Sequence, residues 1–171
     1  EEFKKIVQEE YKAMPEDPSA KKYFDEIPNW EDQPSLKAVQ LKGVRRPDGF
    51  DEWAKTNVYE QRQAGYAVVT VTLPLGDATS DQFRALAEMA RTYAGNHART
   101  TVEQNLVFRW VPHNKLVEVY NVLKAIGLAQ PGAGTIVDLV ACPGTDTCKL
   151  GIASSRGLAG ELRNRLLAKS A

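Results

Sequence analysis

Cysteine and histidine are both scarce: 171 residues contain two of each. That excludes a disulfide scaffold, and a chain of this length buries about 70% of its unfolded surface without one. Net charge is missing too, with 22 basic residues against 22 acidic. No overall field therefore draws nucleic acid or an anionic membrane to this chain. No apolar run approaches the roughly 18 residues that a membrane span needs. The opening EEFKKIVQEEYKAM is acidic and amphipathic, unlike a secretory signal. Two cysteines with no signal imply a cytoplasmic, reducing setting. The first residue is Glu1 rather than Met, which implies a piece of a longer chain.

Residues 1–60 and 61–171 differ in character. The first part holds Pro15, Pro18, Pro28 and Pro34, a density that forbids long helices and central strands. It reads as a short helix from about Glu2 to Met14, followed by an extended arm. Phe3, Ile6, Val7 and Tyr11 share one face of that helix. Trp30, Phe50 and Trp53 are expected to pin the arm to a neighbouring surface. The basic run LKGVRRPDG reads as a solvated loop.

The second part is regular. YAVVTVTLPL, residues 66–75, is rich in β-branched residues and predicts a strand. Thr79 to Gln82 spells a capping box, and Phe83, Leu86, Ala87, Ala90 and Tyr93 then recur at helical spacing until Gly95. ARTTVEQNLVFRWV is too long for one strand. Its polar centre, Glu103-Gln104-Asn105, predicts a hairpin of strands 98–102 and 106–111. A helix follows Asn114, with Leu116, Val119, Tyr120 and Leu123 inward, and stops at Gly127. GTIVDLVA predicts a fourth strand. A last helix is expected over about 149–169, with Leu158, Leu162 and Leu166 in register. The order β-α-β-β-α-β is that of an α+β, ferredoxin-like sandwich: two helices on one face of an antiparallel sheet. Fold alone does not choose a function for it.

Two stretches could carry chemistry. LVACPGTDTCKLGIASS places both cysteines, Cys142 and Cys148, in one loop with five residues between them. Thiolates suit iron–sulfur clusters or zinc, and Cys148 is expected to open the last helix, where the dipole favours an anionic ligand. Inert thiols and redox chemistry remain open on spacing alone. A zinc site would need His97 and His113, whose spacing matches no compact zinc module. The second stretch is the hairpin RTTVEQN. Arg99 could bind an anion there, and Gln104 and Asn105 could donate hydrogen bonds.

Taken together, three stretches resemble the second half of a siroheme-containing sulfite or nitrite reductase: LPLGDATSDQFRALAEMARTYAG, RTTVEQNLV and VACPGTDTCKLGIASS, in that order and spacing. The upstream WAKTNVYEQRQAGY is similar as well. The likeness runs from about Phe50 to the C-terminus. It implies a 4Fe–4S cluster coupled to siroheme, passing six electrons to sulfite or nitrite. It implies that Cys142 and Cys148 are the first two of four cluster ligands. Gln104 would approach the siroheme, Arg99 and Asn105 would lie near the macrocycle or its carboxylates, and Ala141 would lie near the cluster. The domains would run 1–60 as arm, 61–141 as ferredoxin-like half-domain and 142–171 as the start of the cluster- and siroheme-binding domain.

This sequence departs from that family in two respects: no cysteine follows Cys148, so the later C-x3-C pair that the resemblance implies is absent, and the first half is missing too. The chain is therefore expected to hold no cofactor and no activity by itself. Its partners would be the first half-domain and the missing C-terminal segment of the same chain, with a ferredoxin or flavoprotein as electron donor. No nucleic-acid or membrane partner is expected. Self-association through an open sheet face or the aromatic arm is expected of the isolated piece. The rival reading is a stand-alone ferredoxin-like binding or interaction module with incidental cysteines.

Overall fold

A computed structural model of the chain describes residues 2–14, 34–39 and 45–170. The chain divides into two compact units, 1–31 and 32–171. In the first, helix α1 spans Glu2–Ala13. Its apolar stripe, Phe3, Ile6, Val7 and Tyr11, is exposed. Trp30 lies outside the described residues.

The second unit is an antiparallel four-stranded sheet with helices, a ferredoxin-like α+β arrangement. Its elements are α2 (Phe50–Asn57), β1 (Val58–Glu60), β2 (Tyr66–Val71), α3 (Ser80–Tyr93), β3 (Arg99–Thr100), β4 (Leu106–Pro112), α4 (Leu116–Ala125) and α5 (Ser155–Ser170). The strand order is β1-β2-β4-β3. Val69, Val71, Phe108 and Val111 pack with Leu86 and Met89 of α3 and Val119, Tyr120 and Leu123 of α4.

Strict alternation would put Phe108 and Val111 on opposite faces of β4, because they are three residues apart. A bulge resolves this. Ala67 pairs with Val111 and Val69 with Phe108, so β4 carries one extra residue. Trp110 takes the left-handed conformation there, φ 62°, and its amide donates to the Gln61 side chain at 2.9 Å. Both Phe108 and Val111 then face the core.

The helices begin and end where their chemistry dictates. Thr79 Oγ1 accepts from the Gln82 amide and the Gln82 side chain accepts from the Thr79 amide. The same carboxamide donates to the Ile126 carbonyl at 2.9 Å, tying the start of α3 to the end of α4. Gly127, φ 73°, closes α4, with Leu128 N bonded back to Leu123 O at 2.8 Å.

Three expectations need correction. Phe50 and Trp53 are not on an extended arm. They lie on α2, buried to 5% and 0% exposure, and their rings pack with Tyr120. The sequence 50–57 lacks a side-chain N-cap and starts from left-handed Gly49, which hides the helix from pattern reading. An aromatic side chain does tie down upstream residues: the Tyr66 hydroxyl accepts from Ala38 N and donates to Leu36 O.

GTIVDLVA is not a strand; residues 134–141 are turn and irregular backbone. The edge beside β2 is already taken by β1, which pairs Val58 with Val69 and Glu60 with Ala67. Gly132 and Gly134 hold positive φ, and Thr135 and Asp138 spend their amides on turn bonds to Gly132 and Thr135. The alternation in this segment is real, but no ladder is left for it.

The last helix starts at Ser155, not near Lys149. Cys148 therefore sits in a turn seven residues upstream rather than at a helix N-terminus. On α5, Ala159 is buried while Leu158 and Leu162 are 64% and 44% exposed, so the expected leucine register faces outward.

Candidate functional site

The segment from Leu128 to Ser155 is held by side chains instead of a ladder. Asn57 is fully buried at the end of α2. Its Nδ2 donates to Thr70 O and Gln130 O at 3.0 and 3.3 Å. Its Oδ1 accepts from the amides of Gly132 and Ala133 at 3.2 and 3.4 Å and from the Thr56 hydroxyl at 2.7 Å. This carboxamide supplies the pairing that a strand partner would have supplied.

A second anchor is the hairpin tip. The turn forms where expected, with the left-handed residue at Gln104, φ 62°, rather than at Asn105. Gln104 Nε2 donates to the carbonyl of Ala141 at 3.2 Å. Asn105 is 2% exposed. Its Oδ1 accepts from Leu73 N at 2.9 Å, and its Nδ2 donates to both oxygens of Asp138 at 3.0 and 2.9 Å. Asp138 also accepts from Gly134 N at 2.9 Å. Arg99 begins β3 and is half-buried, opposite Val107.

The cysteine loop closes on itself. Thr145 N bonds to Ala153 O, Cys148 N to Gly144 O and Gly151 N to Cys148 O, at 3.2, 2.9 and 3.0 Å. Gly144 has φ 56°, and a Cβ there would stand 2.6 Å from the Ala153 carbonyl. Only glycine fits that crossing. The Ser155 hydroxyl lies 3.2 Å from Cys142 Sγ and 3.0 Å from Cys142 O, and when the sulfur is a thiolate its one proton is donated to Sγ. Ser155, then the Gly144 amide, hold the Cys142 thiol below its ordinary range, since both stabilise a thiolate. Arg156 pairs with Asp77 and lies 3.9 Å from Asp146, bridging the loop to the turn after β2.

Hairpin and cysteine loop, remote in sequence, therefore meet through Gln104–Ala141 and Asn105–Asp138. Sequence reasoning missed Asp138, Ser155, Asn57 and Arg156. The first sits inside an apparent strand, Ser155 and Arg156 look like ordinary helix polars, and Asn57 falls in the stretch read as an extended arm. His113 pairs instead with Glu60 at 3.0 Å. Among the described residues no group of three or more His, Cys, Asp or Glu side chains could hold a metal ion. Both cysteines are exposed and free. Two soft thiolates fit half of a four-cysteine donor set, and this chain does not complete that set. Among the described residues no helix is long and apolar enough to cross a membrane.

The four-stranded sheet thus carries an R-x-T-x-x-Q-N hairpin whose tip is bonded to the residue before a C-x5-C loop. Residues 59–126 match the nitrite/sulfite reductase ferredoxin-like half domain. The chain's curated relatives include the chloroplastic ferredoxin–nitrite reductase of Spinacia oleracea, 31% identical over 104 residues, 60% of this chain and 17% of that protein. Another is the ferredoxin–nitrite reductase of Synechococcus elongatus, 27% identical over 108 residues, 61% of this chain and 21% of the relative. A third, sulfite reductase [ferredoxin] 2 of Mycolicibacterium paratuberculosis, is 37% identical over 86 residues, 48% of this chain and 16% of its own. The chain thus spans between 16% and 21% of the length of these relatives.

Proposed function

We propose that this chain is the second ferredoxin-like half, with the start of the cluster-binding region, of a siroheme- and 4Fe–4S-dependent sulfite or nitrite reductase. The observation that carries the reading is the bond from Gln104 to the carbonyl of Ala141, the residue before Cys142. It joins the two stretches whose combination marks the family. The bound cofactors would supply six electrons to sulfite or nitrite. Cys142 and Cys148 would be two of the cluster's four ligands, and the Ser155 hydroxyl favours the thiolate that a ligand needs. Gln104, Arg99 and Ala141 would line the cofactor side, with Asn105 bracing the hairpin beneath them. The first half-domain and the second cysteine pair would come from the rest of the polypeptide. The donor would be a ferredoxin, as the names of the relatives suggest.

Exposed apolar side chains support an incomplete assembly. Leu150 is 90% exposed, Ile152 100% and Leu158 64%, an arrangement a finished surface rarely leaves. The rest of the polypeptide would cover them. Alone, the chain would hold no cofactor and would self-associate, which sedimentation velocity at rising concentration measures.

The deciding experiment is an absorption spectrum, with iron and acid-labile sulfide analysis, on the longer polypeptide made with siroheme synthesis intact, beside this chain. Siroheme bands and about four irons per cluster in the longer polypeptide support the proposal. A colourless, iron-free longer polypeptide refutes it. Turnover with sulfite and with nitrite then separates the two substrates.

A further inference from the structure

We infer that Asp138 is a positioning residue: through Asn105 it fixes where the chain enters the cysteine loop. In its consequence for cofactor ligation, this rests on the reading of Cys142 as a ligand. The geometry itself does not. Residues 134–141 have no strand partner, so something else must set their register. Two side-chain contacts to the hairpin do so. Asp138 accepts both Asn105 Nδ2 bonds, and three residues on, Ala141 O accepts from Gln104. The next residue is Cys142.

The pair has a definite polarity. Asn105 must offer an acceptor to Leu73 N and a donor to Asp138. Asp138 must offer acceptors to Asn105 and to Gly134 N. Asp138→Asn leaves one donor facing another, because its amide nitrogen replaces Oδ1, which lies 3.0 Å from Asn105 Nδ2. Asn105→Asp sets two carboxylates against each other in a site where Asn105 is 2% exposed, which is the worst case. The exchanged pair, Asn105→Asp with Asp138→Asn, restores a donor–acceptor contact between the two side chains and leaves one pair of oxygens facing each other where Asp138 Oδ2 stood. The new Asp accepts from Leu73 N and from the new Asn, whose oxygen accepts from Gly134 N. A role that depended only on the individual side chains would not be rescued by the exchange.

The test uses NMR on the 171-residue chain. Gly134 amide exchange reports the pair, and the Gln104 side-chain amide resonance reports the register at Ala141. Asp138→Asn should speed Gly134 exchange by about tenfold or more and move the Gln104 resonance toward its solvent-exposed position. Asn105→Asp should do more, and the exchanged pair should return both signals. Unchanged Gln104 and Gly134 signals in the single variants, or a double variant no better than the singles, would overturn the inference. Iron per chain in the longer polypeptide should follow the same order: original, exchanged pair, Asp138→Asn, Asn105→Asp. Iron independent of these substitutions removes the link to ligation. Iron absent from the original sequence refutes the cofactor reading, and the Gln104 resonance still decides the positioning.

Discussion

Replacing Asn57 with Ala should cost this fold about 3 kcal/mol. The carboxamide is fully buried and touches two separate parts of the chain. Its removal takes a donor from the carbonyls of Thr70 and Gln130 and an acceptor from the amide of Ala133. Gly132 N loses less, because Thr56 Oγ1 also accepts from it at 2.8 Å. Three groups at about 1 kcal/mol each give the estimate. Urea unfolding monitored by tryptophan fluorescence, to which buried Trp53 contributes, is the assay. With a slope near 2 kcal/mol/M, the midpoint should fall by about 1.5 M. Thr56→Val, which strands one amide that Asn57 still serves, should cost only about 1 kcal/mol. A loss under ~0.5 kcal/mol for Asn57→Ala, the range of ordinary surface changes, would refute the idea that this side chain replaces a strand.

Other expectations are local. Thr79→Ala removes the capping box and should destabilise by about 1 kcal/mol in the same urea experiment. Gly144→Ala forces a Cβ against Ala153 O and Ser155. It should speed amide exchange at Thr145 and Cys148 while leaving the urea midpoint nearly unchanged, since the loop lies outside the core. Cys142 should alkylate at a lower pH than an ordinary thiol, because its partners favour the charged form; Ser155→Ala should move that pH midpoint upward, and a fixed midpoint would count against the contact.

Much of the sheet and both covering helices were legible in the sequence, because their signals are local. β2 is a β-branched run, α3 has its capping box, and α4 keeps Val119, Tyr120 and Leu123 at helical spacing. What failed was competition between segments. Residues 134–141 carry a strand pattern but lose the sheet edge to β1, a three-residue strand too short to stand out. α2 was hidden by its missing cap. The two candidate motifs, the hairpin and the cysteine loop, were visible from residue types and spacing. The side chains that join them were not, since Asn57, Asp138 and Ser155 gain their roles chiefly from partners 13 to 76 residues away.

The position of α2 bears on how the molecule can be divided. The family match begins at residue 59, after Phe50, Trp53 and Asn57 have contributed an aromatic cluster and the buried carboxamide. The matched segment and the packed unit are therefore not the same length of chain. A piece cut at 59 would lose Val58 from β1, open a void beside Tyr120 and release the stretch at 130–133. Modularity here is set by α2, so any separable module must reach back at least to Gly49.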